Sequence, residues 1–245
     1  MAQIPRLYLD QDLRQGQTLS LHRDAAHYLF AVMRLTTGAP VDIFNGRDGE
    51  WRATVVEANK RGGVLLCESQ QVTQGKPQDL WMLFAPVKKT QTDFIVEKSV
   101  EMGAARLCPV STEFTNSERI RSDKMRARVI EAAEQCGITY LPEVSDLTRL
   151  SSVLSDWPEG RRLLFCDEAA RGDPVGNLRA IAGSDAPGPW AILIGPEGGF
   201  SERERAQLAA LPFAHATSLG PRILRAETAA VAALALWQSA LGDWT

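Results

Sequence analysis

Two short segments near the carboxyl end carry the residues best suited to chemistry. Gly195-Pro196-Glu197-Gly198-Gly199 follows the apolar run Trp190–Ile194, and Leu219-Gly220-Pro221-Arg222-Ile223-Leu224-Arg225-Ala226-Glu227-Thr228 follows the short run HATS. Each places a Gly-Pro bend between a strand-like stretch and a helix-like one. Glycine there permits close backbone approach and unusual φ, while proline stiffens the bend and removes a donor. The first segment lacks the G-x-G-x-x-G spacing of a dinucleotide loop and the lysine of a phosphate loop. Glu197 would repel a polyphosphate. A ligand of positive or mixed charge, gripped by backbone amides and carbonyls, suits it better; a plain strand-to-helix connection suits the same residues. The second segment adds an apolar wall, Ile223 and Leu224, with Arg225 and Glu227 at its rim, although these two charges can also simply pair at a helix start. At neighbouring strand ends, the two bends would form one pocket beyond the carboxyl edge of a sheet, where open α/β sheets bind ligands.

The elements that must hold these bends read as alternating strands and helices. From residue 79 the strands are DLWMLFAPV, ARLCPVS, RRLLFCDE, WAILIG and HATSLG. Between them lie the helices QTDFIVEKSVEMG, ended by Gly103, and RSDKMRARVIEAAEQCG, ended by Gly137. DPVGNLRAIAG and SERERAQLAAL, the latter capped by Ser201, also read as helices. The last helix, RAETAAVAALALWQSAL, is apolar nearly all round and so belongs in a buried setting. This alternation predicts a parallel α/β sheet. Residues 1–73 differ: RLYLD, QTLSL, APVDIF, EWRATVVEA and VLLCESQQV are strands, with hairpin signals at NGRDG and NKRGG. DAAHYLFAVMRL is one helix, with Asp24 as N-cap and Ala26, Leu29, Phe30 and Met33 on its inner face. A small barrel of five or six strands with one helix is expected there. TQGKPQ (73–78) is the linker, dividing the chain into 1–73 and 74–245.

The 245 residues carry 27 basic and 30 acidic side chains, so a nucleic-acid surface has to be local. The basic excess peaks in RIRSDKMRAR, 119–128, which is either a solvated helix face or a phosphate contact. Cys67, Cys108, Cys136 and Cys166 lack metal spacing and fit buried free thiols in a reducing compartment. His22, His27 and His215 also lack ligand spacing, and no metal is expected. The start of the chain has no signal-peptide core, and the longest apolar helix stretch, AAVAALALW, falls short of the roughly 20 residues a bilayer needs. A cytoplasmic protein without a membrane segment is expected.

LIGPEGGFSERE and LGPRILRAETAAV resemble the signature segments of the RsmE-type 16S rRNA uridine-N3 methyltransferases of the SPOUT superfamily. KKTQTDFIVEKSVEMGAARLCPV, SERIRSDKMRARVIEAAEQCG and AHYLFAVMRLTTGAPVDIFNGRDGEW resemble further stretches of that family, so the likeness covers nearly the whole chain. The resemblance implies a carboxyl-terminal SPOUT domain with a trefoil knot and a parallel sheet, a PUA-like β-barrel domain ahead of it, and a homodimer. It implies S-adenosyl-L-methionine as cofactor, held by Leu193, Gly195, Pro196, Glu197, Gly198 and Gly199 from one loop and by Leu219, Gly220, Ile223, Leu224 and Arg225 from the other. It implies a uridine of 16S rRNA in the small ribosomal subunit as target. Methylation at N3 requires loss of a proton, with negative charge spreading to the flanking carbonyl oxygens. Arg225 is expected to hold that charge; Glu227 either orients Arg225 or takes the proton. RNA contacts are expected from Arg34, Lys88, Lys98, Arg119 and Arg121. The family often carries Arg after EQ-x-G, where this chain has Ile138; if that Arg touches RNA in relatives, this chain either compensates with Arg126 or Arg128 or binds somewhat differently. The alternatives are another knotted RNA methyltransferase, acting on a ribose 2′-hydroxyl or on tRNA, and a non-catalytic RNA-binding assembly factor.

Overall fold

The structure is a computed structural model that describes residues 4–59, 61–116, 120–167, 170, 178, 180–181 and 188–244. The chain divides into two compact units. One is Met1–Lys76 with Ala133–Leu141, the other Pro77–Ala132 with Pro142–Thr245.

The first unit is a five-stranded sheet in the order β1-β3-β4-β5-β2, built from β1 (Arg6–Tyr8), β2 (Thr18–Leu21), β3 (Pro40–Phe44), β4 (Glu50–Asn59) and β5 (Gly62–Val72). All pairs are antiparallel except β1 with β3. Alternation of apolar and polar residues sends Leu19, Val41, Ile43, Ala53, Val55, Leu65 and Cys67 into one core. The segment 133–141 belongs to this unit through β1. The Arg6 guanidinium donates to the carbonyls of Ala133 and Ile138, and the Glu134 carboxylate accepts from Tyr8 N at 2.8 Å. The expected helix over 24–35 is instead a four-residue α1 (Arg23–Ala26) followed by a π turn, His27–Val32. Its cap is His22, whose Nδ1 accepts from Ala25 N, and not Asp24. The Met33 N to Tyr28 O bond spans five residues, so the turn widens and carries Met33 off the inner face to 41% exposure.

The second unit is a wholly parallel sheet. Its strands are β6 (Leu80–Phe84), β7 (Arg106–Ser111), β8 (Glu143–Val144), β9 (Thr148–Arg149), β10 (Arg162–Cys166), β11 (Trp190–Ile194) and β12 (Ala214–Thr217). The order is β12-β10-β11-β6-β7-β8, with β9 also pairing β7. Every residue of β11 is buried, as befits a strand covered on both faces. The helices are α2 (Lys89–Glu101), α3 (Ser122–Cys136), α4 (Leu150–Ser155), α5 (Glu202–Ala209) and α6 (Ala226–Leu241). The short β8, β9 and α4 were not expected from the sequence, because two strand residues or six helical ones carry too few positions for a period. The helix expected over DPVGNLRAIAG lies almost wholly outside the described residues. In α6, Ala229, Ala230, Ala233, Leu234 and Trp237 are buried, and Gln238 donates to the Met102 carbonyl at the end of α2. Packing within the chain therefore accounts for most of the apolar surface of this helix. At the amino edge of the sheet, buried Arg161 donates to both carboxylate oxygens of Asp79 at 2.7 Å and to Trp190 O at 2.9 Å, over the Trp81 ring. Among the cysteines, Cys67 and Cys108 are buried as expected, but Cys166 is only half-buried at the end of β10, and Cys136 is exposed, since it ends α3 on the solvent side.

Candidate active site

The first bend leaves β11 as a tight turn in which Gly199 N donates to Pro196 O at 2.9 Å. Gly199 closes the turn at φ +68°, a conformation that side chains with a Cβ rarely adopt. Pro196 is buried while Glu197 and Gly198 face solvent. Leu193 sits two residues before the turn, wholly buried among Leu83, Leu163, Phe165 and Phe200. Its side chain supports the bend from beneath and has no open face to offer a ligand. The bend then enters α5 through a reciprocal cap: Ser201 Oγ accepts from Glu204 N, and Glu204 accepts from Ser201 N.

The second bend follows β12. The Ser218 hydroxyl accepts from Gly220 N and lies 3.2 Å from Gly220 O, closing a small loop around Leu219. Ile223 is 83% exposed, Leu224 half-buried and Arg225 exposed. Arg225 is the N-cap of α6 and makes no side-chain bond to the helix end, while half-buried Glu227 lies in the first turn. A carboxylate there is favoured by the helix dipole.

The two bends leave the same edge of the sheet, but not from neighbouring strands. β10 lies between β11 and β12, because both pair with it. At about 4.8 Å per strand the two ends stand roughly 10 Å apart, with the end of β10 between them. That end is Cys166 and Asp167. Burial pushes the Cys166 thiol up to about 12, which favours its protonated form. Asp167 N donates to Thr217 O, tying β10 to the strand that carries the second bend, and its carboxylate lies 3.4 Å from Arg205 of α5.

A third loop, after β7, joins the site without having been expected. Thr112 and Thr115 close it on themselves through the Thr115 hydroxyl. Glu204 Oε1 accepts from Glu113 N at 2.8 Å, so the carboxylate that caps α5 also holds this loop. Phe114 then stands on the first bend: a Cβ added at Gly198 would meet Phe114 Cβ at 3.3 Å. The S-E-R-E cap was readable in the sequence, but its reach to Glu113 depends on the sheet order. A cavity of about 730 Å³ opens on the α4–α5 side, lined by Thr112, Glu113, Arg149, Ser201 and Arg203 among others, away from the second bend.

The candidate RNA contacts are spread over both units. Arg34, in the first, is exposed and holds φ +57°, a strained value for a residue other than glycine. Lys88 is exposed at the start of α2, beyond the end of β6. Lys98 is half-buried and paired with Glu101 at 2.7 Å, and Arg121 is paired with Asp123. Arg119 lies outside the described residues. Arg128 is held among Asp93, Glu97 and Glu131, which leaves exposed Arg126 the better candidate to compensate for Ile138. Of the histidines, His215 lies on β12, where burial, then the Arg162 charge, lowers its pKa and keeps it neutral. Among the described residues no cluster of three or more His, Cys, Asp or Glu is placed to hold a metal ion.

Residues 74–238 match the RNA methyltransferase domain family and residues 21–65 the RNA methyltransferase PUA domain. The parallel sheet with its carboxyl-edge bends is thus the fold of an RNA methyltransferase domain, joined to a PUA-like domain. The ribosomal RNA small subunit methyltransferase E of Synechocystis sp. is 30% identical, over 89% of this chain and 72% of its own. That of Rickettsia conorii is 26% identical, over 94% and 93%. The crystal structure of a ribosomal RNA small subunit methyltransferase E from Neisseria gonorrhoeae bound to S-adenosyl methionine superposes with a TM-score of 0.87 at 28% identity, covering 99% of this chain and all of that one. The chain belongs to the ribosomal RNA small subunit methyltransferase E family.

Proposed function

We infer that this protein transfers a methyl group from S-adenosyl-L-methionine to N3 of a uridine in the 16S rRNA of the small ribosomal subunit. The observation that carries the reading is the pair of Gly-Pro bends at one edge of a parallel sheet, the second with Ile223 left 83% exposed. An isoleucine so open to water lacks the apolar partner its chemistry calls for, and the flat face of an adenine fits it. The exposed Glu197 carboxylate of the first bend suits a sulfonium. The residues that would hold the cofactor are Gly195, Pro196, Glu197, Gly198 and Gly199 with Leu219, Gly220, Ile223, Leu224 and Arg225, and Leu193 backs them from the core. Bound there, it supplies a methyl carbon open to in-line attack.

The chain's own part is to make N3 a nucleophile. As the N3 proton leaves, charge grows on the two uracil carbonyl oxygens, and Arg225, exposed and uncommitted to its helix, is the cation to hold it. Glu227, two residues on, orients Arg225 or receives the proton. N3 lies on the Watson–Crick edge, so the uridine must be unpaired or flipped out before any of this happens. Residues 1–73 with Arg34, and Lys88, Lys98, Arg119 and Arg121 of residues 74–245, grip the RNA backbone. The working form is a cytoplasmic homodimer.

Incubation with methyl-labelled S-adenosylmethionine and either unmethylated small subunits or naked 16S rRNA, followed by nucleoside mapping, tests this. The expected product is 3-methyluridine at a single position. A ribose-methylated nucleoside, or label only in tRNA, would move the protein to another branch of the knotted methyltransferases. RNA binding with no cofactor affinity would make it an assembly factor.

A further inference from the structure

We propose that Phe114 is the platform on which the target base stacks when it leaves the RNA; this rests on the methyltransferase reading above. Phe114 is 44% exposed, although a phenylalanine in a closed, hydrogen-bonded loop gains by being covered. The loop does not leave the ring free to fold away. Thr112 and Thr115 lock it internally, and Glu204 fixes the Glu113 amide from the α5 side. The base of the ring rests on Gly198, with Phe114 Cβ 3.3 Å and Cγ 3.6 Å from where a Cβ on that glycine would lie. A rigid aromatic face is therefore held out to solvent directly beside the bend that faces the methyl donor.

The surroundings favour a neutral planar group on that face. Glu113 and Glu197 flank it, both exposed, and both repel phosphate. Lys88 follows β6, the strand between β11 and β7, and offers the backbone of the same nucleotide a cation on the β6 side. The sheet order also separates this face from the apolar wall of Ile223 and Leu224. That wall follows β12, on the other side of β11 from β7, and suits the cofactor's adenine. Flipping a uridine out costs it its stacking in the RNA, and an aromatic ring returns part of that without reading the base edge, leaving N3 open.

The test is steady-state methylation of small subunits by wild type, Phe114→Ala and Phe114→Tyr, with cofactor affinity measured by calorimetry and size by analytical ultracentrifugation. Phe114→Ala is expected to raise KM for the RNA substrate about tenfold, as loss of one stacked base does. Cofactor affinity and size stay unchanged, and Phe114→Tyr stays near wild type. A Phe114→Trp variant should show fluorescence beyond that of wild type, quenched on titration with a short uridine oligonucleotide. Wild-type KM in Phe114→Ala overturns the proposal, as does a fall in cofactor affinity, which would make the ring part of the cofactor site. A shift to monomer would mean that a second copy covers it, and overturns the proposal too. If wild type itself forms no 3-methyluridine, the methyltransferase reading has failed and the platform falls with it.

Discussion

Arg225 and Glu227 are close in sequence but differently placed. Arg225 stands at the helix boundary with no bond to the helix end; Glu227 is half-buried in the first turn, where the dipole favours a carboxylate. This asymmetry makes Arg225 the residue whose removal acts on chemistry. Arg225→Ala should lower kcat about 100-fold, the cost of removing one group that stabilises a developing oxyanion. KM for the RNA should hold within a few-fold, and cofactor affinity should drop little, because the glycine backbone and the Ile223 wall remain. Wild-type kcat in this variant removes Arg225 from the mechanism. At this scale the two bends were legible because Gly, Pro and charge at fixed spacing are local properties. Phe114 was not, since nothing in S-T-E-F-T indicates that its ring will rest on Gly198.

Most elements of the second unit were legible from alternation and glycine stops, down to the Ser201 cap. What escaped was the order of strands. Period and propensity do not say that β10 lies between β11 and β12, so patterning alone sets the bends on neighbouring strands, whereas they flank the end of a third. The π turn escaped because one extra residue per turn leaves the apolar pattern over 25–30 intact and rotates only the residues after it, Met33 first. Glu204 is where a local signal acquires a tertiary role, because one carboxylate caps α5 and holds the Glu113 amide. Glu204→Ala should therefore cost more than a cap. Loss of its share of the capping box and of the bond to Glu113 amounts to about 1–3 kcal/mol in urea unfolding. Glu204→Gln, whose single side-chain oxygen can serve only one of the two donors, Glu113 N and Ser201 N, should recover about half of it. Equal losses in the two variants would mean that charge, not the bond to the loop, is what Glu204 contributes.

For the whole molecule, the sequence divides at the polar linker after residue 73, but the compact units do not follow that line. Residues 133–141 belong with the first unit. Their contribution is specific: Glu134 accepts from Tyr8 N, the carbonyls of Ala133 and Ile138 accept from Arg6, and the Thr139 hydroxyl accepts from Gly75 N at 3.1 Å. Sequence patterning had no access to this, because a segment read as the end of one helix completes a distant strand. It also gives Ile138 a place that does not depend on its side chain, since its carbonyl is the group that Arg6 uses. A fragment ending at residue 76 loses these partners, and with them about 1 kcal/mol per bond. β1, only three residues long and at the edge of its sheet, is the element that depends on them. In hydrogen exchange the Tyr8 amide should be protected in the full chain and exchange at least tenfold faster in the fragment. Amides of β4 and β5, which pair along their whole length, should keep more of their protection. If Tyr8 is equally protected in both, the 133–141 segment is dispensable and the first unit ends where the linker begins.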